Sequence, residues 1–274
     1  MATIQVNFFS QSLMRTVTFQ AILPVDKVLK CQQKIKPYKT LYLLHGIFGD
    51  QTDWLVGTRI QRWAQDHNLA VIMPAGENKF YVDNENSHEY FSKFIGEELV
   101  EMTRRMFPLS KKREDTFIAG LSMGGYGAII NGLKYHETFG YVAGLSSALI
   151  LNMVIHSTDG DDIPYMNKRS YLTSVFGNID HLRGSDKDYK ALVFKLKKEK
   201  ANFPQIYMAC GTEDFLLKAN QDYYEFLVKE GIEVTYEEGP GSHTWDFWDR
   251  YIQKVLEWLP LDNQEEGLSS GHVD

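Results

Sequence analysis

One hydroxyl stands out for its setting. Ser122 lies in Gly120-Leu-Ser-Met-Gly124, directly after the apolar run "TFIAGL" and before a stretch with helical spacing. Serine is a weak nucleophile until a base takes its proton, and the base needs an acid to orient it. The pattern G-x-S-x-G between strand and helix supplies the first part, because the chain turns so sharply that the hydroxyl projects beyond the strand end. A Cβ at position 120 or 124 would clash in such a turn, which accounts for the two glycines. Gly125 and Gly127 let the helix, with Ile129, Ile130 and Leu133, press on neighbouring strands. The competing interpretation is a glycine-rich turn with Ser122 as helix N-cap. The apolar strand before it and the amphipathic helix after it favour the nucleophile.

The base should follow a later strand. "IEVTYEEGPGSHTWDFW" offers a strand, a glycine-rich turn and then His243 just before the last helix, in the chain order serine, acid, histidine. His67 and His136 fall at helix ends, His272 lies in the tail, and His88, His156 and His181 follow no core strand. His45, in "LLHGIFGD", ends an early strand, and its loop can present backbone N–H groups to an oxyanion. The acid is sought where the strand "QIYMAC" ends. Glu213 and Asp214 both lie there, in "CGTEDFL", and Asp214 is preferred. The alternative for either carboxylate is a helix-start residue favoured by the macrodipole. Asp159, Asp161 and Asp162 follow no core strand and are assigned to a solvated turn.

These residues need a scaffold of strands and helices in alternation. "TIQVNFF" and "RTVTFQAIL" alternate apolar with polar residues, as an antiparallel pair would. "TLYLLHG", "AVIMPAG", "DTFIAGLS", "YVAGLSS" and "PQIYMACG" are short apolar runs suited to parallel strands covered on both faces. Phe91, Ile95, Leu99, Met102 and Met106 recur at three- and four-residue spacing, as do Trp245, Trp248, Ile252, Val255 and Leu259. The prediction is an α/β fold with a doubly wound, mostly parallel sheet, whose sites lie beyond the carboxyl ends of the strands. Residues 147–200 are too long and mixed for one crossover helix and are expected to form an inserted cap. A single domain over residues 1–260 and a polar tail over 261–274 complete the organisation. No internal repeat is evident.

Composition narrows the partners. With 274 residues, 43% of them hydrophobic, the chain can bury one large core. A net charge of −7 disfavours nucleic acid and anionic membranes, which call for a basic surface. No run is apolar for long enough to span a bilayer and no signal-peptide pattern opens the chain, so a cytoplasmic protein is expected. Cys31 and Cys210 are read as free thiols, and no His/Asp/Cys cluster has metal-ligand spacing, so neither metal nor cofactor is expected.

Taken together, "LLHGIFGDQTDW", "FIAGLSMGGYGA", "VFGNIDHLRGSD", "CGTEDFL" and "GSHTWDFW" resemble the esterase D superfamily of α/β-hydrolases. The resemblance is strongest to its bacterial tributyrin-esterase branch, related to feruloyl and acetyl-xylan esterases. It runs from "QVNFFS" to about Leu259 and is looser toward S-formylglutathione hydrolases. It implies Ser122 as nucleophile, His243 as base, Asp214 as its partner, and the N–H groups of Ile47 and Met123 as oxyanion hole. The implied activity is serine carboxylesterase on short-chain acyl or aryl esters, acetyl, butyryl or feruloyl, from small molecules that include plant-cell-wall material. Trp54, Phe80, Tyr81 and Trp245, with Leu149 and Ile155 of the cap segment, are candidates to line the acyl or aryl pocket, against ordinary core packing as the alternative. S-formylglutathione hydrolysis, acyl transfer, peptidase activity and a non-catalytic binding role remain as other readings. Oligomeric state is not legible.

Overall fold

The computed structural model describes residues 1–26 and 36–261. Cys31 and the polar tail beyond Leu261 lie outside the described residues. The strands are β1 (Ala2–Ser10), β2 (Arg15–Leu23), β3 (Thr40–Leu44), β4 (Ala70–Pro74), the short pair β5 (Asp83–Asn84) and β6 (Glu89–Tyr90), β7 (Thr116–Leu121), β8 (Tyr141–Leu145), β9 (Gln205–Gly211) and β10 (Val234–Gly239). Eight of them make one sheet in the order β1-β2-β4-β3-β7-β8-β9-β10. The pairs β1·β2 and β2·β4 are antiparallel, and every pair from β4·β3 to β9·β10 is parallel. This is the doubly wound, mostly parallel sheet expected from the alternation of apolar runs.

Period-two alternation divides the strand side chains between two faces. Tyr42, Leu44 and Ile118 point into one apolar layer, and Leu41, Leu43, Phe117, Ala119 and Leu121 into the other. The second layer is closed by α1 (Asp53–Gly57), α2 (Ile60–Asp66) and α10 (Trp245–Trp258). The first is closed by a helix running through α3 (Phe91–Lys93), a π-helical turn (Phe94–Glu98) and α4 (Leu99–Met106), together with α5 (Met123–Lys134), α8 (Tyr189–Glu199) and α9 (Leu217–Lys229). Helices on both faces let the central strands be apolar throughout, which is why β3, β4 and β7 are buried at every residue.

The π-helical turn changes one expected stripe. An extra residue in the turn rotates the register, so Phe94, Val100 and Thr103 are buried beside Phe91, Ile95 and Leu99, while Met106 is exposed. Glu98, within that turn, accepts hydrogen bonds from Ser10 Oγ at 2.7 Å, Gln11 N–H at 2.6 Å and Ser12 N–H at 3.1 Å, fastening the β1–β2 connection. In the last helix Trp248, Ile252 and Val255 are buried as expected, as is Leu259 just past its end, while Trp245 is half-buried.

The β8–β9 connection holds α6 (Leu151–Ile155), α7 (Arg169–Phe176) and α8. Its final helix, α8, packs on α5 as a crossover helix. The earlier part is tied to the segment after β4: Tyr171 O–H donates to Asn78 O in the loop at 2.8 Å, and Asn84 Nδ2, on β5, donates to Ser174 O at 2.8 Å. Asp159 is exposed and accepts from the Ser170 N–H and hydroxyl at 3.0 and 2.8 Å, starting α7.

Candidate active site

β7 and β8 end level with each other, and β3 ends beside β7, with Leu44 paired to Gly120. Ser122 leaves β7 at φ +53°, ψ −116°, a conformation that costs a non-glycine residue about 1–3 kcal/mol and recurs at functional sites. Its carbonyl accepts from Tyr126 N–H at 3.0 Å and Ala148 N–H at 2.9 Å, and its N–H donates to Leu145 O at 2.9 Å, so the bend is held from three sides. Space decides the flanking glycines. A Cβ on Gly120 would overlap the Gly124 carbonyl, and one on Gly124 would overlap the carbonyls of Leu44 and His45. The Ser122 side chain makes no capping bond to α5, which removes the N-cap interpretation.

The hydroxyl is engaged elsewhere. Ser122 Oγ lies 3.0 Å from His243 Nε2, and His243 Nδ1 lies 2.8 Å from Asp214 Oδ2. A carboxylate only accepts, so Nδ1 carries the proton, and in the neutral ring Nε2 is left to accept from Ser122. The second oxygen of Asp214 accepts from Leu216 N–H at 2.8 Å. Burial works against the Asp214 charge. Hydrogen bonds from His243, Leu216 N–H and Ser146 outweigh it and hold the carboxyl below its ordinary value. Glu213 points away: it accepts from Gly241 N–H at 2.8 Å and its own N–H donates to Gly241 O at 3.0 Å. Its carboxylate therefore braces the turn that leads to His243 and does not reach the ring.

The loop after β3 lies alongside. A Cβ on Gly46 would come 3.6 Å from Ser122 Cβ, which sets Ile47 next to the bend. Met123 opens α5, where a backbone N–H has no intrahelical acceptor. His45 is buried and shapes this loop: its Nδ1–H donates to Gly46 O at 2.7 Å and its Nε2 accepts from Gly76 N–H at 2.8 Å. Burial, the largest influence, lowers its pKa and keeps the ring neutral.

Of the residues expected to line a pocket, four are buried: Trp54, Phe80, Tyr81 and Leu149. Trp54 is buried with its indole N–H donating to Leu44 O at 3.0 Å, and Tyr81 is buried with its hydroxyl donating to His45 O at 3.0 Å. Phe80 packs on Tyr126 and Phe176. They support the loops from beneath and offer no open surface. Trp245 is half-buried against Trp54 and Trp248, Leu149 is buried, and Ile155 is half-buried against the core. The exposed aromatics are others. Phe48, at φ +69°, faces Tyr165 of the β8–β9 connection with ring centroids 6.2 Å apart, and Phe215 packs on His243.

Ser146 is a further residue that pattern reading passes over. It is buried at φ +45°, accepts from Trp248 Nε1–H at 3.2 Å and backs Asp214. A signal existed: "AGLS" occurs at 119–122 and again at 143–146, on adjacent strands in register. Cys210 is free and buried, and burial pushes its thiol up to about 12, so it is inert. Among the described residues no group of three or more His, Cys, Asp or Glu could hold a metal, and no helix is long and apolar enough to cross a membrane. A groove of about 670 Å³ lined by Phe9, Tyr90, Glu98 and Arg105 contains none of Ser122, Asp214 and His243.

Residues 10–259 match the model of the Esterase family, described as "Putative esterase". The chain belongs to this family. Across 94% of its length it is 51% identical to an acetyl esterase of Caldicellulosiruptor saccharolyticus, covering 98% of that protein. An endo-1,4-beta-xylanase/feruloyl esterase of Xylanibacter ruminicola is 31% identical over 149 residues, which is 50% of this chain and 20% of that protein. Among solved structures, the substrate-bound fluorophosphonate-binding serine hydrolase FphF of Staphylococcus aureus superposes with a TM-score of 0.84 at 32% identity, covering 95% of this chain and 99% of that one. The S-formylglutathione hydrolase FrmB of the same organism gives 0.81 at 32% identity, covering 94% and 98%. The Esterase-family chain thus has the α/β-hydrolase architecture of these neighbours and is a serine hydrolase of carboxylic esters.

Proposed function

We propose that this serine esterase hydrolyses short-chain acyl esters, acetyl esters foremost, through an acyl-enzyme on Ser122. The observation that carries the reading is the unbroken line from Ser122 Oγ through His243 to Asp214, at 3.0 and 2.8 Å. The 51% identity to an acetyl esterase supports acetyl as the acyl group. His243 Nε2 takes the hydroxyl proton as Ser122 attacks the ester carbonyl, and the imidazolium is stabilised by the buried Asp214 carboxylate. The N–H groups of Ile47 and Met123 receive the developing oxyanion, a contribution of about 10²–10³ in rate for one such donor. His243 then gives its proton to the departing alcohol, and water, deprotonated by the same ring, releases the acid.

The part of residues 147–200 that precedes α8 acts in this proposal as the cap over the acyl pocket, while α8 itself belongs to the core layer on α5. Contact between Tyr165 and Phe48, and the Tyr171 bond to the Asn78 loop, support that placement. Similarity to part of a xylanase/feruloyl esterase supports plant-wall esters as one natural source. The test is a kcat/KM panel of nitrophenyl acetate, nitrophenyl butyrate, methyl ferulate, acetylated xylan and S-formylglutathione, with and without an added acceptor alcohol. Acetyl esters should lead, with water as acceptor. A preference for S-formylglutathione, or transfer to the alcohol outrunning hydrolysis, would overturn the reading.

A further inference from the structure

The imidazole of His243 touches two rings of opposite character. Trp248, buried in the core, meets it edge-on at 89° with centroids 4.9 Å apart. Phe215 meets it at 50° with centroids 4.7 Å apart, yet is 77% exposed. Leaving that much apolar surface in water forgoes about 25 cal/mol per Å², so burial on folding does not account for a phenylalanine here. The turn that carries it is well fixed. Asp214 N–H donates to Gly211 O at 3.1 Å, Leu217 N–H donates to Asp214 O at 3.0 Å, and Asp214 Oδ1 accepts from Leu216 N–H. A ligand meeting this ring would find it already in place, with little ordering cost.

The chemistry says which part of a substrate passes there. In the reaction proposed above, the carbonyl oxygen turns toward the N–H groups of Ile47 and Met123, and the leaving oxygen turns toward the proton on His243 Nε2. The alcohol portion therefore lies against His243, and Phe215 is the exposed apolar surface on that ring. We infer that Phe215 is the platform of a leaving-group subsite selecting esters of ring-bearing alcohols, whose flat π or C–H face stacks on it. The inference rests on Ser122 and His243 acting as nucleophile and base. Phenols and sugars share the required face.

Holding the acyl group constant isolates the subsite. kcat/KM is measured for ethyl acetate, phenyl acetate and a mono-acetylated methyl xyloside with wild type, Phe215→Ala and Phe215→Trp. Intrinsic reactivity of each ester cancels in the variant-to-wild-type ratio. Phe215→Ala should lower the preference for ring esters over ethyl acetate about three- to tenfold, the size of one stacking contact, and Phe215→Trp should restore it. A drop confined to phenyl acetate identifies phenols as the source of the ring, and one confined to the xyloside identifies sugars. An equal drop for all three esters would make Phe215 a shield for His243 and overturn the subsite, as would an unchanged preference. Turnover by Ser122→Ala would overturn the underlying mechanism instead, a result that no Phe215 variant produces.

Discussion

Replacing Asp214 by asparagine changes one atom, and the surrounding hydrogen bonds dictate how the amide must sit. Oδ1 accepts from Leu216 N–H at 2.8 Å, so the amide oxygen has to keep that position, since an NH₂ there would face another donor. The amide NH₂ then takes the place of Oδ2 and points at His243 Nδ1, 2.8 Å away. A donor at that position selects the imidazole tautomer with its proton on Nε2. That nitrogen can no longer accept from Ser122. The expected loss in kcat is about 10³–10⁴-fold, equivalent to roughly 4–5.5 kcal/mol of transition-state stabilisation, with KM little changed. Packing is retained, so the stability cost should be only about 1–3 kcal/mol, from the lost charge-assisted bonds. Glu213→Gln is the control, because its side chain can still accept from Gly241 N–H and should cost less than about tenfold. Steady-state kinetics of both variants on nitrophenyl acetate decide the matter: an active Asp214→Asn beside a crippled Glu213→Gln would refute the assignment. Stability supplies a second check. The folded Asp214 carboxyl lies below its ordinary value, so the unfolded chain binds this proton more tightly. Its contribution is complete above the unfolded value of about 4 and is lost as pH falls through the lower folded value. Urea unfolding should show the gap between wild type and Asp214→Asn wide at neutral pH and closing in that acid range.

Three other perturbations test the rest of the site. Ser122→Ala should lose at least about a thousandfold in kcat while unfolding at the wild-type temperature, and a fluorophosphonate should label wild type on the Ser122 peptide alone by mass spectrometry. Gly124→Ala should fail to fold or lose activity outright, because its Cβ would overlap the backbone carbonyls of Leu44 and His45, neither of which can swing aside. Solubility and circular dichroism would show it, and a well-folded active variant would contradict the close approach. Deleting Gly160, Asp161 and Asp162 spares Asp159, which holds Ser170, and should shift the ranking of acetyl, butyryl and feruloyl esters more than the melting temperature. A lower melting temperature with unchanged ranking would make the segment purely structural.

Local chemistry was legible wherever a short stretch of chain decides the outcome. The alternating apolar runs announced the strands, because a strand covered on both faces must be apolar throughout. The glycines around Ser122 announced the bend, because only they fit where α5 crosses β7 and β3. His243 and Asp214 could be picked by their place after late strands. Their separation of 3.0 and 2.8 Å from their partners could not, since it depends on β7, β9 and β10 ending at the same side of one sheet. The same limit governs the aromatics. Trp54, Phe80 and Tyr81 have the composition of a pocket wall, yet the packing of α1 and of the loop after β4 turns them inward. Phe48, Tyr165 and Phe215 come from three distant parts of the chain and are left exposed. A sequence states which side chains are apolar, but solvent exposure is a property of every other element that could cover them. Glu213 makes the point at the smallest scale: adjacent to Asp214 and chemically its near equal, it points to Gly241 because the turn directs the two neighbouring side chains apart.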